Sequence, residues 1–195
     1  MAKEIVIVID PGHGMSNRRY GVFDPGAVNS EEKANEASMV LDLALTLKYV
    51  ANTKFKGKIR FVFTRLDNSS HCSLAYRTRV TKETGPKAFI SLHMNAANGK
   101  ATGIETIYAS KNKDSALALA VQESALSAFG LKSRGLKHES ATPHGRLYVL
   151  HQSVPNALLE CGFIDNASDL EAVQDREKRI KFATTLCVKL ISLYS

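Results

Sequence analysis

Three short apolar runs, each about as long as a β-strand, lead to a residue that can bind a metal. Residues 5–9 lead to His13, residues 88–92 lead to His93, and a third run ends in Glu160. In an open α/β sheet, ligands and active sites gather at the carboxyl ends of the strands. Two histidines and a carboxylate at such an edge indicate a zinc site.

Apolar runs of this kind alternate with amphipathic segments along the chain, as in a layered α/β domain with a mostly parallel, mixed sheet flanked by helices. The predicted strands are residues 5–9, 59–64, 88–92, 103–109, 146–151 and 157–161. The predicted helices are, roughly, residues 35–51, 72–84, 113–129 and 168–194. The sequence contains no internal repeat and no linker, so residues 1–195 are predicted to form a single domain.

The composition fits a soluble protein with no integral membrane segment. Apolar residues make up 44% and charged residues 23% of the chain, and no apolar stretch approaches the roughly 18–20 residues of a membrane helix. The net charge of +7 predicts attraction to anionic polymers. The basic residues lack the interleaved aromatic side chains of a single-stranded nucleic-acid platform, so we do not expect nucleic acid as a partner. The three cysteines, odd in number and without a CxxC pair, are expected to be free thiols.

Two long loops are candidates for the walls of a cleft. Residues 14–33 follow the first histidine, and residues 133–145 precede the strand that contains Glu160. Long loops in a compact domain are usually functional. His144, in the second loop, is a candidate for lining the cleft or for hydrogen bonding to an intermediate.

Catalytic zinc typically takes three protein ligands and leaves a position for water, so the two histidines need a third partner. Spacing alone leaves the choice open among five acidic residues: Asp10, Asp24, Glu31, Glu32 and Glu36. Glu36 stands where a loop becomes a helix, and its alternative role is a first-turn carboxylate favoured by the helix dipole. Asp10 directly precedes the His13 turn, and its alternative role is to orient that histidine.

Glu160 is an acidic residue within an otherwise apolar run. Burial of a carboxylate is costly without a partner, so one interpretation is a paired carboxylate at the end of a strand. The other is a general base beside a metal, which takes a proton from water and delivers it to a leaving group. Cys161 points to the opposite face of the same strand and is expected to lie in the core.

Stretches throughout the chain resemble the type-3 family of zinc-dependent N-acetylmuramoyl-L-alanine amidases, which is found in bacterial cell-wall hydrolases and phage endolysins. They occur in the family's order and span nearly all of the sequence. They are IVIDPGHG, DPGA, NEASMVLDLALTLK, FTRLDN, LAYRTRV, AFISLHMNAANG, GIETIYAS, RGLK and LYVLHQSVPNALLECGFIDNASDL, followed by the terminal helix. The resemblance implies a phosphorylase/hydrolase-like amidase fold, with residues 1–195 as one catalytic domain and no separate wall-binding domain.

The resemblance also implies a set of site residues. His13, Glu36 and His93 match the family's ligands to one zinc ion, so the family pattern selects Glu36 among the open candidates. Glu160 matches the family's catalytic glutamate. Arg65 and Arg77 match two recurrent family arginines. In the family such arginines either hold carboxylates of the peptide or form structural pairs within the protein.

The implied activity is hydrolysis of the amide between N-acetylmuramic acid and L-alanine of the peptidoglycan stem peptide. The N-terminal residues do not resemble a signal peptide, and the chain resembles compact endolysins. We therefore expect a monomer made in the cytoplasm that reaches the cell wall after release. Two alternatives remain: a zinc peptidase that cuts within the stem peptide, and a non-catalytic module that binds peptidoglycan.

Overall fold

The computed structural model describes residues 4–195, and a six-stranded sheet forms its centre. The strands are β1 (Ile5–Pro11), β2 (Ile59–Phe63), β3 (Ala88–Asn95), β4 (Ile104–Tyr108), β5 (Ser133–His138) and β6 (Asn156–Phe163). Their order across the sheet is β2-β1-β3-β6-β4-β5. All neighbours are parallel except β6 and β4, which are antiparallel. The predicted α/β fold with a mostly parallel, mixed sheet is confirmed.

In residues 4–195, five α-helices surround the sheet, and four of them begin at a side chain that caps the first turn. The helices are α1 (Glu36–Lys54), α2 (Leu74–Thr84), α3 (Lys111–Phe129), α4 (Ala167–Gln174) and α5 (Arg176–Tyr194). Asn35 accepts a hydrogen bond from the backbone N–H of Ser38 at the start of α1. Ser73 likewise accepts from the backbone N–H of Tyr76 at the start of α2. Such caps satisfy backbone donors that the first turn leaves without a partner.

The sheet has an apolar core on each face, because successive side chains of a strand point in opposite directions. Ile7 and Ile9 of β1 belong to the larger core, which packs against α1, α3, α4 and α5. Val8, between them, belongs to the smaller core, together with Val149 and Leu150. Residues of β1 are therefore buried on both sides, which explains the nearly continuous apolar run in its sequence.

Three predicted segments differ from the structure. Residues 146–151 do not form a strand; Tyr148–Leu150 is a 3-10 turn, and its Val149 and Leu150 side chains lie in the smaller core. β5 (Ser133–His138), in contrast, is a strand that we predicted as part of a loop. This strand lies at the edge of the sheet, where polar residues are tolerated, so its sequence lacks apolar alternation. The predicted terminal helix is divided at Asp175, whose side chain caps α5.

All three cysteines are free and buried, and Cys161 lies in the larger core as predicted. Among the helices of residues 4–195, none combines the length and the apolar character needed to cross a membrane.

Candidate metal centre

The first histidine stands in a tight turn directly after β1. His13 has a φ of 59°, a left-handed conformation that is uncommon for residues other than glycine. Gly12 before it has no room for a side chain, since a Cβ there would lie 2.3 Å from Cε1 of the His93 ring. The turn therefore brings the backbone after β1 against the side chain at the end of β3.

His13, Glu36 and His93 meet at this edge of the sheet. Nε2 of His13 lies 3.1 Å from Oε2 of Glu36, and Nδ1 of His93 lies 2.8 Å from Oε1 of the same carboxylate. One ligand atom from each of the three residues lies within 4.8 Å of the others. Two imidazoles and a carboxylate are a donor set that catalytic zinc uses, so these residues fit the metal.

Glycine at position 26 closes the metal site from the loop side. A Cβ at Gly26 would lie 2.5 Å from Oε2 of Glu36 and 2.7 Å from Cδ2 of His13. The backbone N–H of Ala27 donates to Oε2 of Glu36 at 2.9 Å. The loop thus packs directly on two of the three donors and holds the carboxylate in place.

The charges at the site favour an ionised carboxylate. Burial raises the pKa of Glu36, but hydrogen bonds and charges from His13 and His93 outweigh that effect, and its pKa falls far below the usual range. Burial lowers the pKa of His13, whereas Glu36 and then Asp24 raise it more, so its pKa lies above the ordinary histidine value. A metal bound at this site would therefore compete with a proton for His13.

Asp24 orients His13. Its Oδ2 lies 3.0 Å from Nδ1 of His13 and also accepts from Nδ2 of Asn17 at 2.7 Å. An N–H on Nδ1 that donates to Asp24 leaves the lone pair of Nε2 free for a metal. We predicted Asp10 as a possible partner in this role, and the structure places Asp24 there instead. The two remaining candidates for the third ligand, Glu31 and Glu32, are exposed on the loop before α1.

Asp10 instead forms a buried ion pair with Arg77 of α2. Its Oδ1 accepts from Nη1 of Arg77 and, at 2.6 Å, from the hydroxyl of Thr64, and its Oδ2 accepts from Ser91 at 2.7 Å. Burial raises the pKa of Asp10, but the charge of Arg77 and these hydrogen bonds bring it below the usual value. Nη2 of Arg77 donates to the backbone oxygen of His13 at 2.5 Å.

Arg65 supports the same turn from the other side. Its Nε donates to the backbone oxygen of Pro11 at 2.9 Å, and its Nη2 donates to the backbone oxygens of Gly12 and Ala37 at 2.7 Å each. Arg65 is 2% exposed and Arg77 is 1% exposed. These contacts are structural ones, because both guanidinium groups hold the backbone that presents His13.

Glu160 lies on β6 directly beside the metal donors. It pairs in register with His93 on one neighbouring strand and with Glu105 on the other. Its Oε2 is buried and has no hydrogen-bond partner in residues 4–195. Burial, then the charge of Glu36, then that of Glu105 raise the pKa of Glu160 well above the ordinary value. A carboxylate with a raised pKa in a cleft has the character of a general acid–base group.

These groups face a cleft of about 1000 Å³. Asn17 and Arg18 of the first predicted loop line one part of it, and His144, with its neighbours in the second, lines another. The lining also contains charged residues that were not predicted as site residues, among them Glu105, Arg134 and Lys137. Glu105, like Glu160, is an acidic residue inside an apolar strand, so the two share a sequence signal. Arg134 and Lys137 instead lie in residues 133–145, which we predicted as a loop.

The sequence matches the family model described as N-acetylmuramoyl-L-alanine amidase over residues 7–191. It is 30% identical to the sporulation-specific N-acetylmuramoyl-L-alanine amidase of Bacillus subtilis over 168 residues, which cover 85% of this chain and 58% of that protein. It is 28% identical to an uncharacterized cell wall amidase of Bacillus anthracis over 202 residues, which cover 96% of this chain and 35% of that protein. The chain thus spans about a third to three fifths of the length of these relatives.

Solved structures resemble the fold over nearly the whole chain. The catalytic domain of CwlV, an amidase of Bacillus (Paenibacillus) polymyxa var. colistinus, superposes with a TM-score of 0.81 at 27% identity and covers 97% of each chain. Cwp6 from Clostridium difficile superposes with a TM-score of 0.82 at 30% identity, covering all of this chain and 30% of its own. With the family model matching residues 7–191, this chain belongs to the N-acetylmuramoyl-L-alanine amidase family.

Proposed function

We propose that the protein hydrolyses the amide that joins N-acetylmuramic acid to the L-alanine of the peptidoglycan stem peptide. The observation that carries this proposal is Glu160, a buried carboxylate with an unpaired oxygen, beside a His-Glu-His donor set in an open cleft. Family membership supports the choice of bond. A module that only binds peptidoglycan has no use for a buried, unpaired carboxylate, whose burial costs stability.

In this proposal His13, Glu36 and His93 hold one zinc ion. Zinc polarises a carbonyl oxygen as a Lewis acid and lowers the pKa of water to about 7. Asp24 holds the ring of His13 in the tautomer that leaves Nε2 free. Arg65 and Arg77 keep the turn at residues 11–13 in place through its backbone oxygens.

Glu160 carries the proton in this mechanism. It accepts a proton from the attacking water as the new C–O bond forms at the lactyl carbonyl. It then donates that proton to the alanine nitrogen as the C–N bond breaks, so the products are a lactyl carboxylate and a free peptide amine. A single carboxyl group thus serves as base and then as acid. Its raised pKa favours the first step, because the carboxylate of a weaker acid is a stronger base and accepts a proton from water more readily.

We propose a lytic role at the cell wall for this activity, of the kind that phage endolysins have. The net charge of +7 supports it, because a basic protein is attracted to anionic wall polymers at low ionic strength.

The test is a digest of purified peptidoglycan without additive, with a chelator, and with chelator followed by zinc. Mass spectrometry of the soluble products is expected to show intact stem peptides with L-alanine at the N-terminus, lost with chelator and restored by zinc. Stem-peptide fragments that begin at a later residue would instead establish a peptidase. Binding to the wall with no released peptide in any arm would leave a wall-binding module.

A further inference from the structure

The cleft contains a second charged group, which we name the Glu105 cluster: Glu105, Arg134 and Lys137. Oε2 of Glu105 accepts from Nε of Arg134 at 2.6 Å and from Nζ of Lys137 at 2.7 Å. Its Oε1 accepts from Nδ2 of Asn95 at 3.2 Å. Two cations share one carboxylate, so the Glu105 cluster carries a net positive charge.

The cations of the Glu105 cluster are held in place and remain open to the cleft. The guanidinium carbon of Arg134 lies 5.0 Å from the centre of the buried Phe163 ring. The side chains of Arg134 and Lys137 are 34% and 29% exposed, and both line the cleft. Glu105 engages Nε of Arg134 and one of the three protons of Lys137, which leaves the Nη groups and two ammonium protons for another acceptor.

The position of the Glu105 cluster relative to Glu160 follows from the sheet. Glu105 on β4 pairs in register with Glu160 on β6 and, on its other side, with Gly135 on β5; Lys137 follows two residues later on β5. Neighbouring strands lie about 4.8 Å apart, so β5 runs about 10 Å across the sheet from β6. An extended peptide covers that distance in about three residues.

We propose that Arg134 and Lys137 form a carboxylate-binding subsite for the peptide side of the scissile amide. The inference rests on the proposed function, which places the leaving amine at Glu160. Stem peptides carry free carboxylates, which are amidated in some cell walls. The carboxylates on the second and third residues of the peptide fall within the distance of about 10 Å that separates β5 from β6. The site accordingly prefers stem peptides with a free carboxylate there over their amidated forms.

Lys137 is the residue to change, because Glu105 keeps Arg134 as a partner when the ammonium is removed. Lys137→Met removes the charge and retains most of the length of the side chain. Lys137→Arg restores a cation and serves as the conservative variant. Lys132→Met is the matched control, since Lys132 is exposed and does not line the cleft.

The experiment measures kcat and KM on three soluble muramyl tripeptides: one with free carboxylates, one amidated at the second residue and one amidated at the third. With the native enzyme, one of the two amidations is expected to raise KM about tenfold with little change in kcat, as for loss of a charge-assisted hydrogen bond. The amidated substrate with the raised KM shows which of the two carboxylates the subsite binds. Lys137→Met is expected to show the raised KM on all three substrates, whereas Lys137→Arg and Lys132→Met retain the preference.

Two results would overturn the subsite. One is an equal KM of the native enzyme on all three tripeptides, and the other is an undiminished preference in Lys137→Met. An unchanged kcat of Lys137→Met on the amidated substrate shows that the variant is folded. If the zinc-loaded native enzyme releases no peptide from any tripeptide, the proposed function fails as well. Release without a carboxylate preference removes the subsite alone.

Discussion

At the scale of the residue, Glu160 is the group on which the proposed chemistry depends most. Glu160→Gln keeps the shape of the side chain and removes its capacity to accept a proton. We expect kcat to fall by about 10²- to 10⁴-fold, the usual contribution of a general acid–base group, with the bound zinc unchanged. Steady-state rates and metal analysis of the variant check this, with Glu177→Gln on the exposed face of α5 as the control. Full activity of Glu160→Gln would remove Glu160 from the mechanism.

Asp24 gives a second prediction at the residue scale, because it acts on the metal through His13. In Asp24→Ala, Nδ1 of His13 loses its partner at 3.0 Å. We expect zinc affinity to fall by about 10- to 100-fold, as for other partners of metal-binding histidines. Competition with a chromophoric chelator measures the affinity, and Asp42→Ala on the exposed side of α1 is the matched control. Equal affinities of Asp24→Ala and native protein would contradict the role.

At the scale of the element, the buried pair of Asp10 and Arg77 joins β1 to α2. Breaking such a pair from one side costs about 3–5 kcal/mol, because the other charge stays buried; we expect a loss of this size in Asp10→Asn. The pKa of Asp10 is lower in the folded protein than its ordinary value. Its contribution is therefore fully present above that ordinary value, about 3.9, and is lost as the pH falls through the folded pKa.

Urea unfolding of both proteins between pH 7 and pH 3 tests this. The difference in the free energy of unfolding between native and Asp10→Asn is expected to be constant near neutral pH and to shrink below about pH 4. A difference that stays constant to the lowest pH would show that Asp10 is not the titrating group.

The elements also show what the sequence can predict. β1, β3 and β6 are buried on both faces, so their apolar runs are clear and the polar residues in or after them stand out. This is how His13, His93 and Glu160 were selected as candidates. Edge strand β5 has polar residues on its open side and gives no such signal. Spacing left the third ligand open, and only the family resemblance selected Glu36.

Loop residues were predicted less well, because their partners are distant in sequence or set by local turns. Asp24 reaches His13 through a two-residue antiparallel pairing of Gly14–Met15 with Phe23–Asp24, a feature too short to have a periodicity. The Glu105 cluster brings together residues from two neighbouring strands, one of them the unpredicted β5. Its composition was visible in the sequence, but its contacts depend on the order of strands in the sheet.

At the scale of the whole molecule, a metal bound at the proposed site would couple stability to pH. Zinc that binds the folded chain stabilises it by mass action, by about 2.7 kcal/mol at a concentration 100 times Kd. His13 must lose its proton to bind, and its pKa is raised because Glu36 and Asp24 outweigh the effect of burial. Without metal, the stability that protonated His13 contributes is therefore present below its ordinary pKa and lost as the pH rises through the folded value.

The increase in melting temperature on adding zinc should consequently be larger at pH 8 than at pH 6, since the proton no longer competes. For a domain of this size, each kcal/mol corresponds to about 2–4 °C. Thermal unfolding with and without a fixed free zinc concentration at the two pH values measures both increments. His71→Gln, which changes an exposed histidine away from the donors, is expected to retain the difference. Equal increments at pH 6 and pH 8 would mean that zinc does not displace a proton from His13, and the assignment of that residue as a ligand would fail.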